Sequence, residues 1–416
     1  MAKVMIWPDI YKEQGHWLPC VSLAKTLEDA GYAVEFMGIR DCKSITDPYV
    51  ADFRVILESI YPSGHSLENK LEPVDQRWKP HHVFPICRGA LDTVFQGAGA
   101  PNLLVSGYFT GLETLLIHYK YNVPFVIITT FLRHPQDTPA AHAKTKLVYM
   151  DPAVSRKIMD LVAPTPGMSI EEFVAPLTTA KEMIPCAKEF DFTDSDWVHP
   201  PHVKYVEPMI LRQLLGTGPA IVDPVPVPSG SRLIFGTSGS QVQDYEFRAR
   251  VFFKALIAMM KTAGMESSYL ALAVGSKLLA ELKREYGVGT GSSTLPSNVF
   301  LADWVSQLDV MKLASVVFMH GGLATIKESI WEQVPIVIVP HGKDQVDNAL
   351  RIRRAGVGVV SEIGELTPTD LRQLLTAATA STFIKRNLAR MQGIFQAAEN
   401  ATTKPSLTVV SGVLPP

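Results

Sequence analysis

His320-Gly321-Gly322-Leu323-Ala324-Thr325-Ile326-Lys327-Glu328 is the stretch that decides how this chain folds. The run before it, Val316-Val317-Phe318-Met319, is β-branched and apolar and reads as a strand. A helix is predicted to begin around Ala324-Thr325. Glycines at the junction let the backbone turn sharply and approach a ligand closely. A helix N-terminus then offers unpaired N–H groups and the positive end of a dipole, a ready site for a diphosphate. Taken alone, His-Gly-Gly is more often an ordinary strand-to-helix turn, so its flanks have to decide.

Downstream, Ile336–Pro340 reads as the next strand, followed by His341-Gly342-Lys343-Asp344-Gln345-Val346-Asp347-Asn348-Ala349. A carboxylate beside an amide at a sheet rim suits vicinal hydroxyls, although a solvated loop would look the same. Upstream stands Asp303-Trp304-Val305-Ser306-Gln307, whose indole suits stacking on a nucleobase or a place in a core. Further strands are predicted at Arg232–Phe235 and Tyr269–Ala273, and in the first half at Val4–Trp7, Val34–Met37, Asn102–Ser106 and Phe125–Thr129. Leu18–Ala30 has helical spacing, with Gly31 as its C-cap. The alternation predicts an α/β protein with parallel sheets and crossover helices.

Between the halves, Gly216-Thr217-Gly218-Pro219 leads into Asp223-Pro224-Val225-Pro226-Val227-Pro228. Prolines at alternate positions form neither a helix nor an interior strand, so residues 216–231 are predicted to be a semi-stiff linker. The length of 416 residues also favours two domains. Two such domains would leave a cleft, with ligands at the carboxyl ends of the strands. The stretches 57–82 and 132–201 look poorly periodic and rich in Pro, aromatics and Met, and are predicted to be irregular walls of a binding site or simple packing.

Composition narrows the function. A net charge of -2 leaves no electrostatic footprint for nucleic acid. No apolar run is long enough for a membrane span, and no signal peptide is expected at the N-terminus. Cys20, Cys42, Cys87 and Cys186 lack CxxC spacing and read as reduced thiols of a cytoplasmic protein. No GxGxxG follows the first strand and no GxxxxGK[ST] occurs, which argues against a Rossmann dehydrogenase and a P-loop NTPase. No metal is expected, since no Asp-x-Asp stands on a site loop and His81-His82 lacks convincing partner ligands.

Together, residues 304–349 resemble the donor signature of family 1 nucleotide-sugar glycosyltransferases, which have the GT-B fold. The pattern W-x-x-Q … H-G-G-x-x-T-x-x-E … P … D-Q-x-x-N-A is matched at Trp304, Gln307, His320, Gly321, Gly322, Thr325, Glu328, Pro340, Asp344, Gln345, Asn348 and Ala349. The His-Gly-Gly form is similar to that of bacterial antibiotic and macrolide glycosyltransferases. Phe235-Gly236-Thr237-Ser238-Gly239-Ser240 resembles the family's F-G-S loop, and Gly15-His16-Trp17-Leu18-Pro19 its G-H-x-x-P opening. Ser306 stands where the family usually has Pro.

The resemblance implies two Rossmann-like domains facing each other across a cleft. Residues 1–215 would bind the acceptor, 232–395 would bind the nucleotide-sugar, and 396–416 would form a tail packing back on the first domain. Trp304, Val305 and Gln307 would face the base and Glu328 the ribose. His320, Gly321, Gly322, Ala324 and Thr325, with Gly236, Thr237 and Ser238, would lie at the diphosphate. Asp344 and Gln345 would hold the sugar. Trp17, Phe84, Tyr108 and Phe131 are candidate acceptor contacts.

The implied reaction is inverting transfer from a UDP- or dTDP-sugar to an apolar natural product such as a polyketide, macrolide or aromatic aglycone. No cofactor or metal is implied, and monomer and homodimer both stay open. His16 is the candidate general base. In the family an Asp just after the strand placed here at Asn102–Ser106 orients this histidine, and here Gly107 stands in its place. Asp9, Glu13 and Asp92 are the candidates to replace it. A same-fold nucleotide-sugar epimerase and a non-catalytic auxiliary protein are the alternative readings.

Overall fold

The computed structural model describes residues 2–50, 52–64, 82–211, 225–240, 245–361 and 366–414. The chain divides into two compact units. One comprises Met1–Lys188, Phe192–Leu211 and Ala398–Pro416, and the other Glu189–Asp191 and Arg212–Ala397.

In the first unit the strands are β1 (Lys3–Trp7), β2 (Ala33–Gly38), β3 (Phe53–Val55), β4 (Leu103–Gly107), β5 (Phe125–Ile128), β6 (Glu182–Pro185) and β7 (Val203–Val206). They form a sheet in the order β3-β2-β1-β4-β5-β6-β7, parallel throughout. The order reverses between β1 and β4, which opens a crevice at their carboxyl ends. Register sets what meets there: Trp7 pairs with Ser106, so Pro8 and Gly107 leave the sheet side by side.

The second unit repeats the scheme with β8 (Arg232–Thr237), β9 (Ser268–Ala273), β10 (Val299–Ala302), β11 (Ala314–Met319), β12 (Ile336–Ile338) and β13 (Gly358–Val360). Their order is β10-β9-β8-β11-β12-β13, again parallel. Met319 pairs with Thr237, so His320 and Ser238 leave the sheet as neighbours at this second reversal point. The core behind the sheet is aliphatic and aromatic, with Phe252, Phe253, Leu256, Phe318 and Val337 all fully buried.

All eight predicted strands exist. The outer strands β3, β6, β7, β10 and β13 were not predicted, being short and flanked by irregular sequence. The first helix starts earlier than its spacing suggested, at Gln14 rather than Leu18, so His16 lies in its first turn and not in a loop.

Residues 132–201, expected to be irregular, are largely helical: Pro139–Tyr149, Pro152–Val162 and Ile170–Thr179. Each begins on a capping residue, with Thr138 and Asp151 preceding a proline and Ser169 forming a capping box with Glu172. Those caps define the helices more clearly than apolar periodicity does. Of the expected linker, 216–224 lies outside the described residues, and Val225–Pro228 forms neither helix nor strand. Most of 57–82, including Trp78 and His81, also lies outside them.

Candidate active site

At the reversal point of the first sheet, the segment leaving β1 carries Asp9 over the end of β4. The His16 ring meets it, with Nδ1 at 2.6 Å from Asp9 Oδ2. A carboxylate only accepts here, so Nδ1 is the donor, and in the neutral form of the ring the lone pair lies on Nε2. Asp9 is held in turn by the Tyr11 amide, which donates to Oδ1 at 3.1 Å. The Asp9 side chain is 7 % exposed and that of His16 18 %, so the pair is enclosed except toward one side.

Gly107 explains why the carboxylate comes from this loop. A Cβ at residue 107 would lie 1.7 Å from the Pro8 carbonyl oxygen. No side chain fits there while Pro8 and Asp9 run as they do. Of the other candidates, Glu13 is the N-cap residue of the helix Gln14–Asp29. Asp92 accepts from Tyr121 Oη at 2.7 Å and pairs with Lys120.

Trp17 is not an acceptor contact. It has no exposed surface, packs between Phe36 and Phe53, and donates its indole N–H to the Tyr11 carbonyl. It anchors the loop that carries Asp9. Phe84 lies half-buried on the short helix Val83–Cys87, with Lys157 Nζ 5.7 Å from its ring centroid. It takes no part in the rings around His16.

Tyr108 and Phe131 join His16 in one group of rings through Phe109, and with it comes a second residue the sequence reading did not assign, His142. Phe109 packs on His16 with centroids 5.3 Å apart and stacks on Phe131 at 5.4 Å. His142 sits edge-on to Phe109. Burial, with Lys146 nearby, pushes the His142 imidazole down to about 4, so it stays neutral near pH 7.

The turn bearing Phe109 is braced from behind. Lys146 Nζ donates to the Phe109 carbonyl at 2.7 Å and pairs with Glu113. Glu113 also meets His82 Nε2 at 2.7 Å, and Tyr61 Oη lies 2.5 Å from His82 Nδ1. Thus His82 is engaged in a buried structural network. The loop bearing Phe131 is fixed by Arg133, whose guanidinium forms a buried pair with Glu182 at 2.6 Å.

At the reversal point of the second sheet, β11 ends and His320 turns into the helix Leu323–Trp331, with Gly322 as N-cap and no side chain capping it. Its first-turn amides and dipole are therefore presented as an anion site. Gly321 has φ +108, and a Cβ there would strike Ile338 Cδ1 at 2.5 Å. The His320 ring lies between two glycines: a Cβ at Gly239 would come within 2.6 Å of its Cε1 and one at Gly322 within 2.9 Å.

Burial, with His341 and Lys343 adding repulsion, pushes His320 down to about 3. The ring is therefore neutral near pH 7. His341 is fully buried with Nε2 at 3.2 Å from Ser238 Oγ, and burial pushes it to about 4. Gly236 is a packing glycine inside β8, where a Cβ would lie 2.4 Å from Leu272 Cδ2. Thr237 Oγ1 accepts from the Gly239 amide and shapes the turn.

Gln307 opens the helix Gln307–Leu313, and its amide NH₂ donates to Thr325 Oγ1 at 3.1 Å and to the Glu328 carboxylate. These three donor residues are thus brought together. Burial pushes Glu328 up to about 7, with Gln307 opposing. Trp304 is 42 % exposed beside them in sequence, while Val305 is buried. Ser306, in the place of the family's Pro, donates to Asp309 Oδ2 at 2.6 Å.

Asn348 stitches the last two loops together, donating to the Gly321 carbonyl at 2.9 Å and to Asp344 Oδ2 at 3.1 Å. Gln345 Oε1 accepts from the His341 and Gly342 amides, which ties the loop after β12 to the start of the helix Gln345–Ala355.

Two all-parallel sheets, each with a reversal in strand order, one in each of two units, define the GT-B fold. Solved structures bear this out along the whole chain. The glycosyltransferase of kitacinnamycin superposes with a TM-score of 0.69 at 19 % identity, covering 100 % of this chain and 98 % of that one. CalG4, the calicheamicin glycosyltransferase, gives 0.66 at 17 % identity with both chains fully covered, 100 % and 100 %. VinC in complex with dTDP gives 0.62 at 16 % identity over 99 % and 100 %.

Within this fold, residues 268–400 match the family model of UDP-glucoronosyl and UDP-glucosyl transferases, so the family resemblance holds over the second unit's donor segment. UDP-glucuronosyltransferase 1A9 of Homo sapiens is 33 % identical over 108 residues. That stretch is 26 % of this chain and 20 % of the human protein, so the chain matches about a fifth of the relative's length.

Proposed function

We propose that this chain is an inverting, metal-independent hexosyltransferase that moves a sugar from a UDP- or dTDP-sugar onto a hydrophobic small-molecule acceptor. The observation that carries the proposal is the Asp9–His16 pair, a base with its orienting carboxylate at 2.6 Å. The acceptor hydroxyl gives its proton to His16 Nε2, and its oxygen attacks the anomeric carbon on the face opposite the diphosphate. The anomeric carbon–oxygen bond breaks and the diphosphate leaves with the electron pair. The uncapped helix after Gly322 meets that charge with fixed N–H dipoles, which serves where other enzymes use a cation.

Trp304 is assigned to stack on the pyrimidine, Glu328 to accept from the ribose hydroxyls, and Asp344 with Gln345 to hold the sugar. The family match over 268–400 and dTDP in VinC support a pyrimidine donor. We assign the work to the cytoplasm, following the cysteine usage. Asp9 supplies what a non-catalytic auxiliary protein would have no need to keep, which favours the transferase over that alternative.

The test is a binding screen against nucleoside diphosphates, then mass spectrometry with the best donor and a panel of apolar alcohols and phenols. Acceptor-dependent release of nucleoside diphosphate together with a glycosylated product supports the proposal. Acceptor-independent change of the sugar indicates an epimerase, and donor binding with no turnover across the panel overturns the catalytic reading.

A further inference from the structure

We propose that the acceptor is a planar aromatic compound bearing its reacting hydroxyl on the ring system, selected by the Phe109–Phe131 stack beside His16. The hydroxyl's fate rests on the glycosyl-transfer reading, whereas the recognition of a flat ring rests on the packing alone.

The neighbours of the base are rings. Phe109 lies on His16 at an interplanar angle of 31° and is stacked on Phe131 at 18°. Tyr108 stands edge-on to both, at 5.1 Å and 5.0 Å. His142 stands edge-on to Phe109 at 5.3 Å. Tyr108 is buried and backs the group, while Phe109 and Phe131 are half-buried and keep ring surface to offer.

The two cations braced behind this cluster are turned inward. Lys146 is spent on the Phe109 carbonyl and Glu113, and Arg133 on Glu182, Thr129 lying beside the same carboxylate. Those bonds also fix the two loops, so the rings are presented in one arrangement. A ligand whose hydroxyl reaches His16 Nε2 then meets the Phe109 ring beside it. Aromatic rings prefer faces and edges of other rings in offset or T-shaped contact, a preference beyond burial worth roughly 2- to 10-fold in affinity for each pair. A saturated acceptor of equal size gains burial only. A hydroxyl-rich one loses hydration without gaining partners.

The missing side chain at residue 107 belongs to the same design. With the orienting carboxylate supplied by Asp9, the turn after β4 carries no acidic group beside the base and brings Phe109 there instead. In transfer, the aryl hydroxyl would lose its proton to His16, the aryl oxygen–anomeric carbon bond would form, and the diphosphate would depart.

The experiment is calorimetric titration of the full chain with 2-naphthol and with its fully hydrogenated counterpart, decahydro-2-naphthol. The expected result is tighter binding of 2-naphthol, about 10-fold or more after correction for their different partitioning from water into octanol. Phe109→Leu and Phe131→Leu should each remove most of that preference, with the melting temperature and UDP affinity as checks on folding. Phe131→Trp should preserve it. Equal corrected affinity of the wild-type chain for the two ligands overturns the proposal without any variant. Selective 2-naphthol binding with no transfer from any donor leaves this inference standing while defeating the transferase reading.

Discussion

Replacing Asp9 by Asn tests the catalytic assignment most directly. The change keeps the side chain's size but exchanges an acceptor for an amide whose NH₂ faces Nδ1 across 2.6 Å. The imidazole then shifts its proton to Nε2, the nitrogen that must receive the acceptor's proton. It also loses the anion that stabilises the imidazolium formed during transfer. Two charges about 4 Å apart at an effective dielectric of about 20 interact by about 4 kcal/mol. That equals about a 10³-fold change in rate, and loss of the orienting carboxylate in a comparable triad costs about 10⁴-fold.

The expected result is a fall in kcat of about 10³-fold, with the dissociation constant for UDP within about twofold of wild type. The assay is single-turnover formation of glycoside, followed by mass spectrometry, beside calorimetric titration with UDP. His16→Ala should be equally inactive toward an alcohol, and the double variant no worse than either single one, because the two residues act as a unit. Full single-turnover rate in Asp9→Asn, or additive losses in the double variant, would refute the reasoning.

Three further outcomes are expected. Gly107→Ala should lower both activity and melting temperature, although only a methyl is added, because its Cβ would sit 1.7 Å from the Pro8 carbonyl oxygen and push Asp9 off the base; unchanged kcat would show that the loop yields freely. Glu328, held up to about 7 by burial, is a carboxylate only above that pH, so donor affinity should strengthen as pH rises through about 7, with proton release on binding. The same raised value means that the donor-free fold loses stability as pH climbs from 4.5 toward 7, and Glu328→Gln should flatten both dependences in titrations and pH-dependent melts. Glu182→Ala should destabilise the first unit by about 3–5 kcal/mol in urea unfolding, since it strands the buried Arg133 guanidinium; a loss below about 1 kcal/mol would place that pair outside the fold's energetics.

The sequence by itself determined the fold class, eight of the strands and the strand-to-helix turn at His320 to Glu328. The reason is local: a strand that turns into a helix through glycines is written in consecutive residues, so His320 to Glu328 hold the whole turn in nine adjacent positions of the chain. The roles of Asn348 and His341 were less visible, because their bonds to Gly321 and Ser238 cross between loops.

Only the tertiary structure decided the surroundings of His16. Asp9, Glu13 and Asp92 were equivalent as letters, and the path of one loop over the end of β4 selected Asp9. Gly107 read as a missing catalytic group until the Pro8 carbonyl was seen to occupy its side-chain space. Phe109, Phe131, His142 and His16 come from four separate elements, and no periodicity links them. Trp17 had the composition of a binding wall and became core, because burial follows from packing partners such as Phe36 and Phe53 that sequence order does not reveal.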